Sequence, residues 1–265
     1  MDADAVADVL EVVRARRPLV HSITNPVVMN LTANALLAVG AAPTMAWAVE
    51  EVAEVTAQAR ALVINLGTPT ATTLAAMRVA AARARADGIA WVLDPVGAGL
   101  SGFRRGAVIE LLESRPAVIR GNATEVRVLA DEAPGAMRGV DATDSPAAAL
   151  AGATALAARL GAAIAVTGPT DHVTDGARHV ALGSGDPLMA RVTGMGCTAS
   201  ALVGAALAVE PDRFVAAAAA LSWIGVAGAL AAHRSDGPGT FQPLLLDALH
   251  RLDREALRAH ARIAA

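Results

Sequence analysis

The sequence predicts an α/β fold in three layers, α/β/α, with a mostly parallel central sheet covered by helices on both faces. Three observations predict it. Apolar residues make up 54% of the 265 and charged residues 18%, enough for one sizeable core and too apolar for a disordered chain. Short β-branched runs alternate with longer alanine-rich runs, the rhythm of strands joined by crossover helices. An Asp175-Gly176 pair between two extended runs, within 172–180, marks one hairpin, after which only helices are expected.

Taken in order, a helix is expected over 3–16 and a strand over 19–23, where the run is LVHSI. Asn25-Pro26 opens a helix over 26–39, since proline suits a first helical turn. Strands over 62–65, 89–94, 117–120 and 163–167 then alternate with helices over 69–86, 104–113, 124–130 and 146–160. Between Ala130 and Pro146 the polar segment DEAPGAMRGVDATDS reads as a surface excursion or a lid. The strand–helix rhythm resumes beyond it, so residues 1–265 are expected to form a single domain.

Two uncharged stretches, 192–209 and 214–232, reach the length of a membrane span. One is rich in alanine and the other in glycine, and neither has a basic flank or an aromatic belt. Both are expected as buried helices of a soluble, cytoplasmic protein. The start, Met1-Asp2-Ala3-Asp4, is acidic, unlike a signal peptide.

Charge excludes several functions. The net charge is −3, all 22 basic residues are arginine, and no two-residue cluster of them grows longer, so no nucleic-acid groove is expected. The absence of lysine removes Schiff-base chemistry and the Walker phosphate loop. A single cysteine forms no internal disulfide and no cysteine-rich zinc site, and it suits a reducing compartment.

Parallel sheets present ligands at the carboxyl ends of their strands. Those ends read His21-Ser22-Ile23-Thr24-Asn25-Pro26, Asn65-Leu66-Gly67-Thr68, Asp94-Pro95-Val96-Gly97-Ala98-Gly99, Arg120-Gly121-Asn122, and Thr167-Gly168-Pro169-Thr170. A structural loop needs turn residues, but it does not need acids, amides and an arginine on successive strands. The coincidence predicts an active site.

Gly97-Ala98-Gly99-Leu100-Ser101-Gly102 and Gly194-Met195-Gly196-Cys197-Thr198-Ala199 fit glycine fingerprints of dinucleotide binding. The fingerprint also needs an acid at the end of the next strand. The strand after Gly102 ends in Arg120-Gly121-Asn122, and no strand is expected after Ala199. Asp94 and Glu125 make better sense around Mg²⁺, which takes few protein oxygens beside waters and substrate phosphates. Asn122 is either a neutral helper of that ion or the N-cap of a helix, and Glu125 suits a helix first turn equally.

Gly194-Met195-Gly196-Cys197 opens a long helix of small residues, so its free N–H groups form an anion site suited to a transferring phosphoryl group. Gly194, Gly196 and Cys197 are therefore candidate catalytic residues. In that first turn the Cys197 thiolate is expected to be favoured, against the plainer reading of a small buried residue. Met45, Met29, Val27 and Val28 could line an apolar pocket but read equally as core. His21 and His172 read as structural histidines.

Together the strand-end motifs resemble the hydroxyethylthiazole kinases of the ribokinase-like superfamily. The resemblance runs in order through PLVHSITNPVVMNLTANALLAVGAAPTMA (18–46), LVINLGT (62–68), LDPVGAG (93–99), IRGNATEV (119–126), AVTGPTDHVTDG (165–176), VTGMGCTASALVGA (192–205) and DGPGTFQPLLLDAL (236–249). It implies a ribokinase-like fold and ATP-dependent phosphorylation of the hydroxyl of 4-methyl-5-(2-hydroxyethyl)thiazole, a step of thiamine salvage. It further implies Mg²⁺ and a homotrimer with thiazole sites near subunit boundaries. Matched to the family, Met45 and Gly194, with Asn25 and Gly67, contact the thiazole. Arg120 and Thr167 contact the nucleotide phosphates, and Asp94 and Glu125 organise Mg²⁺. Cys197 stands where most ribokinase-like relatives carry an aspartate base.

Two other functions compete with the kinase. The glycine patterns suggest an NAD(P)-dependent dehydrogenase. The missing aspartate base suggests a non-catalytic thiazole- or nucleotide-binding relative.

Overall fold

The computed structural model describes residues 1–132 and 146–264. The chain begins with α1 (Ala3–Arg16), β1 (Leu19–Ile23), α2 (Met29–Ala38), β2 (Ala42–Thr44) and α3 (Val52–Gln58). It continues through β3 (Ala61–Asn65), α4 (Ala71–Asp87), β4 (Trp91–Asp94), α5 (Gly102–Leu112), β5 (Val118–Asn122) and α6 (Ala123–Glu132). Next come α7 (Pro146–Leu160), β6 (Ala163–Thr167), β7 (Asp171–Thr174), β8 (His179–Leu182) and a short 3-10 helix (Pro187–Arg191). The end of the chain is α8 (Met195–Leu207), α9 (Arg213–Ala232), α10 (Pro238–Arg251), α11 (Arg254–His260) and β9 (Ile263–Ala264).

The strands form one nine-stranded sheet in the order β2-β1-β3-β4-β5-β6-β7-β8-β9. The pairings from β2 to β6 are all parallel, and those from β6 to β9 are antiparallel. Successive side chains of a strand point to opposite faces, and this alternation divides the core in two. Val20, Val63, Val92, Val118 and Ala165 face α1, α2, α8, α9 and α10. Leu62, Ile64, Trp91, Leu93, Ile119 and Ile164 face α4, α5, α6 and α7. Three layers with a mostly parallel sheet result, as the sequence predicts.

The same alternation carries the polar strand ends. Asn65 is two residues beyond Val63, Asp94 two beyond Val92, Arg120 two beyond Val118 and Thr167 two beyond Ala165. All four therefore end on the face that α8 covers. Asn65 and Asp94 are paired in register, as are Asn122 and Thr167. The strand ends thus line up on one edge.

Helix α9 is the one helix of the described residues long and apolar enough to cross a membrane, and 83% of its apolar window is buried inside the fold. It packs against α1, α8 and α10. Its side chain Trp223 is fully buried, and its Nε1 donates to the Val6 carbonyl of α1 at 3.1 Å. Asp212 caps its first turn by accepting from the N–H groups of Phe214 and Val215. Core packing explains this stretch.

Beyond shifts of one or two residues at element ends, the structure departs from the sequence reading in four places. Helix α2 begins at Met29 rather than at Pro26, because residues 26–28 form a turn in which the Val28 N–H donates to the Asn25 carbonyl at 3.2 Å. Strand β2 contains Pro43, which argues against a strand unless it lies at a sheet edge, where β2 does lie. Helix α3 is a short element between two strands and has no long periodic signal. The chain does not end in helices alone: β9 pairs with β8. The polar segment expected as an excursion or lid falls almost wholly outside the described residues.

Candidate active site

The site is built around Asp94, the last residue of β4 and fully buried. Its Oδ2 accepts from Asn65 Nδ2 at 2.7 Å and from Ser200 Oγ of α8 at 2.8 Å. Its Oδ1 has no hydrogen-bond partner. Arg120 NH1 lies 3.8 Å from that oxygen, a charge contact rather than a hydrogen bond. Burial raises the Asp94 pKa to about 6, and the nearby Glu125 charge pushes the same way, while Arg120, Ser200 and Asn65 oppose.

Asn25 and Asn65 extend this network toward β1. Asn25 Nδ2 donates to Asn65 Oδ1 at 2.8 Å and approaches Cys197 Sγ at 3.7 Å. The Gly67 N–H also donates to Asn65 Oδ1, at 2.9 Å. A side chain on Gly67 would collide with the Asn25 amide, so only glycine lets the two loops meet. Asn25, Gly67, Cys197 and Asp94, picked from four separate motifs, are thus linked through Asn65 in one cluster, with Asn25 and Asp94 buried and Gly67 and Cys197 half-buried.

Helix α8 supplies the opposite wall. Gly194 is its N-cap, with a left-handed φ of 89° that favours glycine, and a Cβ there would overlap Val28. The Thr198 N–H bonds back to the Gly194 carbonyl at 2.8 Å, which leaves the amides of the first turn with no partner inside the helix. The Arg120 guanidinium lies directly on Gly196, where any Cβ would strike it. Its NH2 donates to Thr167 Oγ1, whose hydroxyl also reaches the Gly121 carbonyl at 3.4 Å. A cation and a helix start therefore face the same small space.

Cys197 differs from expectation. Its thiol is pushed up to about 11, first by burial and next by the Asp94 charge, against weaker help from Asn65, Arg120 and Asn25. The first-turn position favours a thiolate, but burial, reinforced by the Asp94 charge, outweighs it. The group is a thiol at neutral pH.

Glu125 and Asn122 resolve toward the helix-capping reading. Asn122 Oδ1 accepts from the Glu125 N–H, and Glu125 Oε2 accepts from the Asn122 N–H, each at 2.9 Å. This is a reciprocal capping box at the start of α6. Glu125 Oε1 also accepts from the Gly97 N–H at 2.9 Å, which fastens the loop after β4 to the start of α6. The first glycine pattern is thus a clamped turn leading into α5, whose N-cap is Ser101.

Met45 lies one residue past β2, half-buried against the core on the face that α8 covers, with β1 between β2 and β3. His21 is buried on the opposite face, with Nδ1 3.0 Å from Thr56 Oγ1 and Nε2 2.7 Å from the Ala46 carbonyl. Both ring nitrogens are used, so it is structural. His172 pairs with His179 at 3.0 Å across the hairpin.

Sequence reasoning left four site-region residues without a role. Asn65 is the hub of the network, and its register with Asp94 at parallel strand ends is the signal that would have found it. Ser200 follows Cys197 by three positions, which places it on the same helix face. Arg104 donates to the Leu66, Gly67 and Val96 carbonyls and so ties the loops after β3 and β4 together. Asp171 accepts from the Gly168 N–H at 2.9 Å, and burial raises its pKa to about 6 against that bond and the Arg120 charge.

No group of three or more His, Cys, Asp or Glu side chains is assembled for a metal among the described residues. The donor set fits Mg²⁺ in a narrower sense. A buried carboxylate oxygen without a partner, Asp94 Oδ1, is a hard ligand of the kind that ion takes beside waters and phosphates.

Comparison with known proteins agrees with the geometry. The model of the hydroxyethylthiazole kinase family matches residues 10–255. A hydroxyethylthiazole kinase of Granulibacter bethesdensis is 54% identical over 96% of this chain and 92% of its own length. One of Nitratidesulfovibrio vulgaris is 51% identical over 93% of this chain and 92% of its own. The solved structure of a hydroxyethylthiazole kinase protein from Pyrococcus horikoshii superposes with a TM-score of 0.92 at 39% identity, covering 98% of both chains. The Staphylococcus aureus pyridoxal kinase structure with AMP-PCP and pyridoxal has a TM-score of 0.66 at 16% identity over 93% of this chain and 98% of its own, a likeness of fold. These matches displace the dehydrogenase alternative. The fold is ribokinase-like, and the chain belongs to the hydroxyethylthiazole kinase family of phosphotransferases.

Proposed function

We propose that the chain transfers the terminal phosphoryl group of ATP to the hydroxyl of 4-methyl-5-(2-hydroxyethyl)thiazole, giving the phosphate monoester used in thiamine salvage. The observation that carries this reading is the convergence of Asn65, Asp94, Arg120 and Thr167, from four neighbouring strands, on the first turn of α8. Arg120 and Thr167 hold the nucleotide phosphates, and the first-turn amides at Gly194 and Gly196 stabilise charge on the moving group. Asn25, Gly67, Gly194 and Met45 enclose the thiazole. Asp94 would hold Mg²⁺ by its free oxygen, with the Glu125 charge nearby, and bound there the ion would supply charge to neutralise the phosphates.

Cys197 acts as a positioning group beside Asn25. A protonated thiol is a poor base, and phosphoryl transfer through a loose transition state asks more for alignment and charge stabilisation than for early proton removal. That same protonated thiol favours a second reading, a relative that binds thiazole and nucleotide without turnover. Incubation with ATP, Mg²⁺ and the hydroxyethylthiazole, followed by product analysis, separates them. Phosphate monoester is expected, and thiazole binding with no product under any condition selects the second reading.

The reading extends to a single domain over residues 1–265, a homotrimer with sites near subunit boundaries, and a cytoplasmic location. One continuous sheet supports the first. Val27, 66% exposed two residues after Asn25, supports a neighbouring subunit at the site. The lone free cysteine supports a reducing compartment.

A further inference from the structure

The donors around Asp94 are divided unequally between its two oxygens. Oδ2 receives Asn65 Nδ2 at 2.7 Å and Ser200 Oγ at 2.8 Å. A carboxylate oxygen offers two lone pairs, so these two donors fill it. Oδ1 receives none, in a residue with no exposed surface. Arg120 attracts Oδ1 from 3.8 Å without donating to it.

Both donors are held in place by their own surroundings. The Asn65 amide cannot turn over, because its Oδ1 accepts from Asn25 Nδ2 at 2.8 Å and from the Gly67 N–H at 2.9 Å. Its Nδ2 must then face Asp94. Ser200 is fully buried in the second turn of α8, where its hydroxyl points at β4. An aspartate at position 65 would set two carboxylates against each other, and an alanine at 200 would leave Oδ2 half satisfied.

We propose that Asn65 and Ser200 are positioning residues that saturate Oδ2 of Asp94 and leave Oδ1 as its single oxygen for a hard divalent cation. The proposal rests on the Mg²⁺-dependent kinase reading and adds the groups that aim its metal-binding carboxylate. Groups that orient a ligand from outside the coordination shell set metal affinity by about 10–100-fold.

Calorimetric titration of ADP into the intact protein, without thiazole, at graded free Mg²⁺ reads the concentration that half-maximally tightens ADP. Ser200→Ala removes one oxygen from a helix interior without adding volume, so the fold is retained. It is expected to raise that Mg²⁺ concentration about tenfold, with Mg²⁺-free ADP affinity within about twofold of the parent. Asn65→Ser withdraws the amide and should move the same quantity in the same direction. Parental Mg²⁺ dependence in either variant overturns the role of that residue. Equal loss of Mg²⁺-free and Mg²⁺-bound affinity also overturns it, since general loosening acts on both. Failure of the parent protein itself to tighten ADP with Mg²⁺ overturns the kinase reading, an outcome distinct from a responsive parent with an indifferent variant.

Discussion

Two ionic clusters in this molecule are built on opposite terms. Between α1 and α11, Arg254 reaches Asp4, Asp8 and Glu11, and Arg258 reaches Asp4 again. Water reaches these groups, Arg254 alone has three carboxylate partners, and none of the carboxylates is sealed from solvent. At the carboxyl edge of the sheet, Asp94 is sealed from water with one oxygen unpaired and its nearest cation 3.8 Å away. Leaving a buried acceptor without a donor costs about 1–3 kcal/mol. A carboxylate placed for stability alone would sit in the first kind of cluster. The contrast teaches that incomplete satisfaction marks the place where a ligand is expected to complete the bonding.

The sharpest way to break this contrast is Asp94→Asn. Turnover should fall by about 100-fold or more, because the carboxylate proposed to hold Mg²⁺ is gone, while the fold gains stability. The sign follows from the shift. Burial lifts the Asp94 pKa from 3.8 to about 6, so the folded state holds this proton more tightly than the unfolded chain. Its contribution is fully present below pH ~4 and is lost as pH rises through ~6. The Asn variant should therefore exceed the parent by about 3 kcal/mol at pH 8 and converge with it near pH 4, read from thermal melts across that range. A variant less stable than the parent at pH 8 would mean that Asp94 is held as favourably as the surface carboxylates.

Cys197 gives the next largest effect. Cys197→Ala should slow turnover about 10–100-fold with nucleotide affinity nearly intact, and Cys197→Asp should remain active, measured by product formation and nucleotide titration. An Ala variant as fast as the parent would remove Cys197 from the positioning role proposed for it. Arg254→Ala should do least. Kinetic constants should not move, and Tm should drop slightly at low salt and not at high salt, where exposed pairs are screened. A large salt-independent drop would erase the distinction between the two clusters.

Much of the architecture was legible because hydrophobic periodicity is a local signal. Strands β1 and β6 and helices α1 and α7 have the bounds that their β-branched and alanine-rich runs predict. What escaped was set by neighbours rather than by the segment itself. Pro43 is tolerated only because β2 lies at an edge, and the two residues of β9 form a strand only because β8 offers them a partner. The site divided the same way. Asp94, Arg120, Cys197 and Asn25 stood out by residue type at strand or helix ends. Asn65 was read only as one of the polar strand ends, because its hub role depends on register with Asp94, and Ser200 did not stand out, because a serine among small helical residues reads as filler. The Cys197 thiol went unforeseen because its shift comes first from burial and next from Asp94, 103 positions away in sequence, neither of which the local helix start reveals.

The margins of the sheet carry a consequence for the behaviour of the molecule in concentrated solution. Among the described residues one margin is β2, three residues long with Pro43 at its centre and so missing an N–H there, and the other is β9, with two residues. Neither offers a visiting strand a ladder long enough to dock on. The molecules can therefore crowd together without zipping edge to edge into fibres.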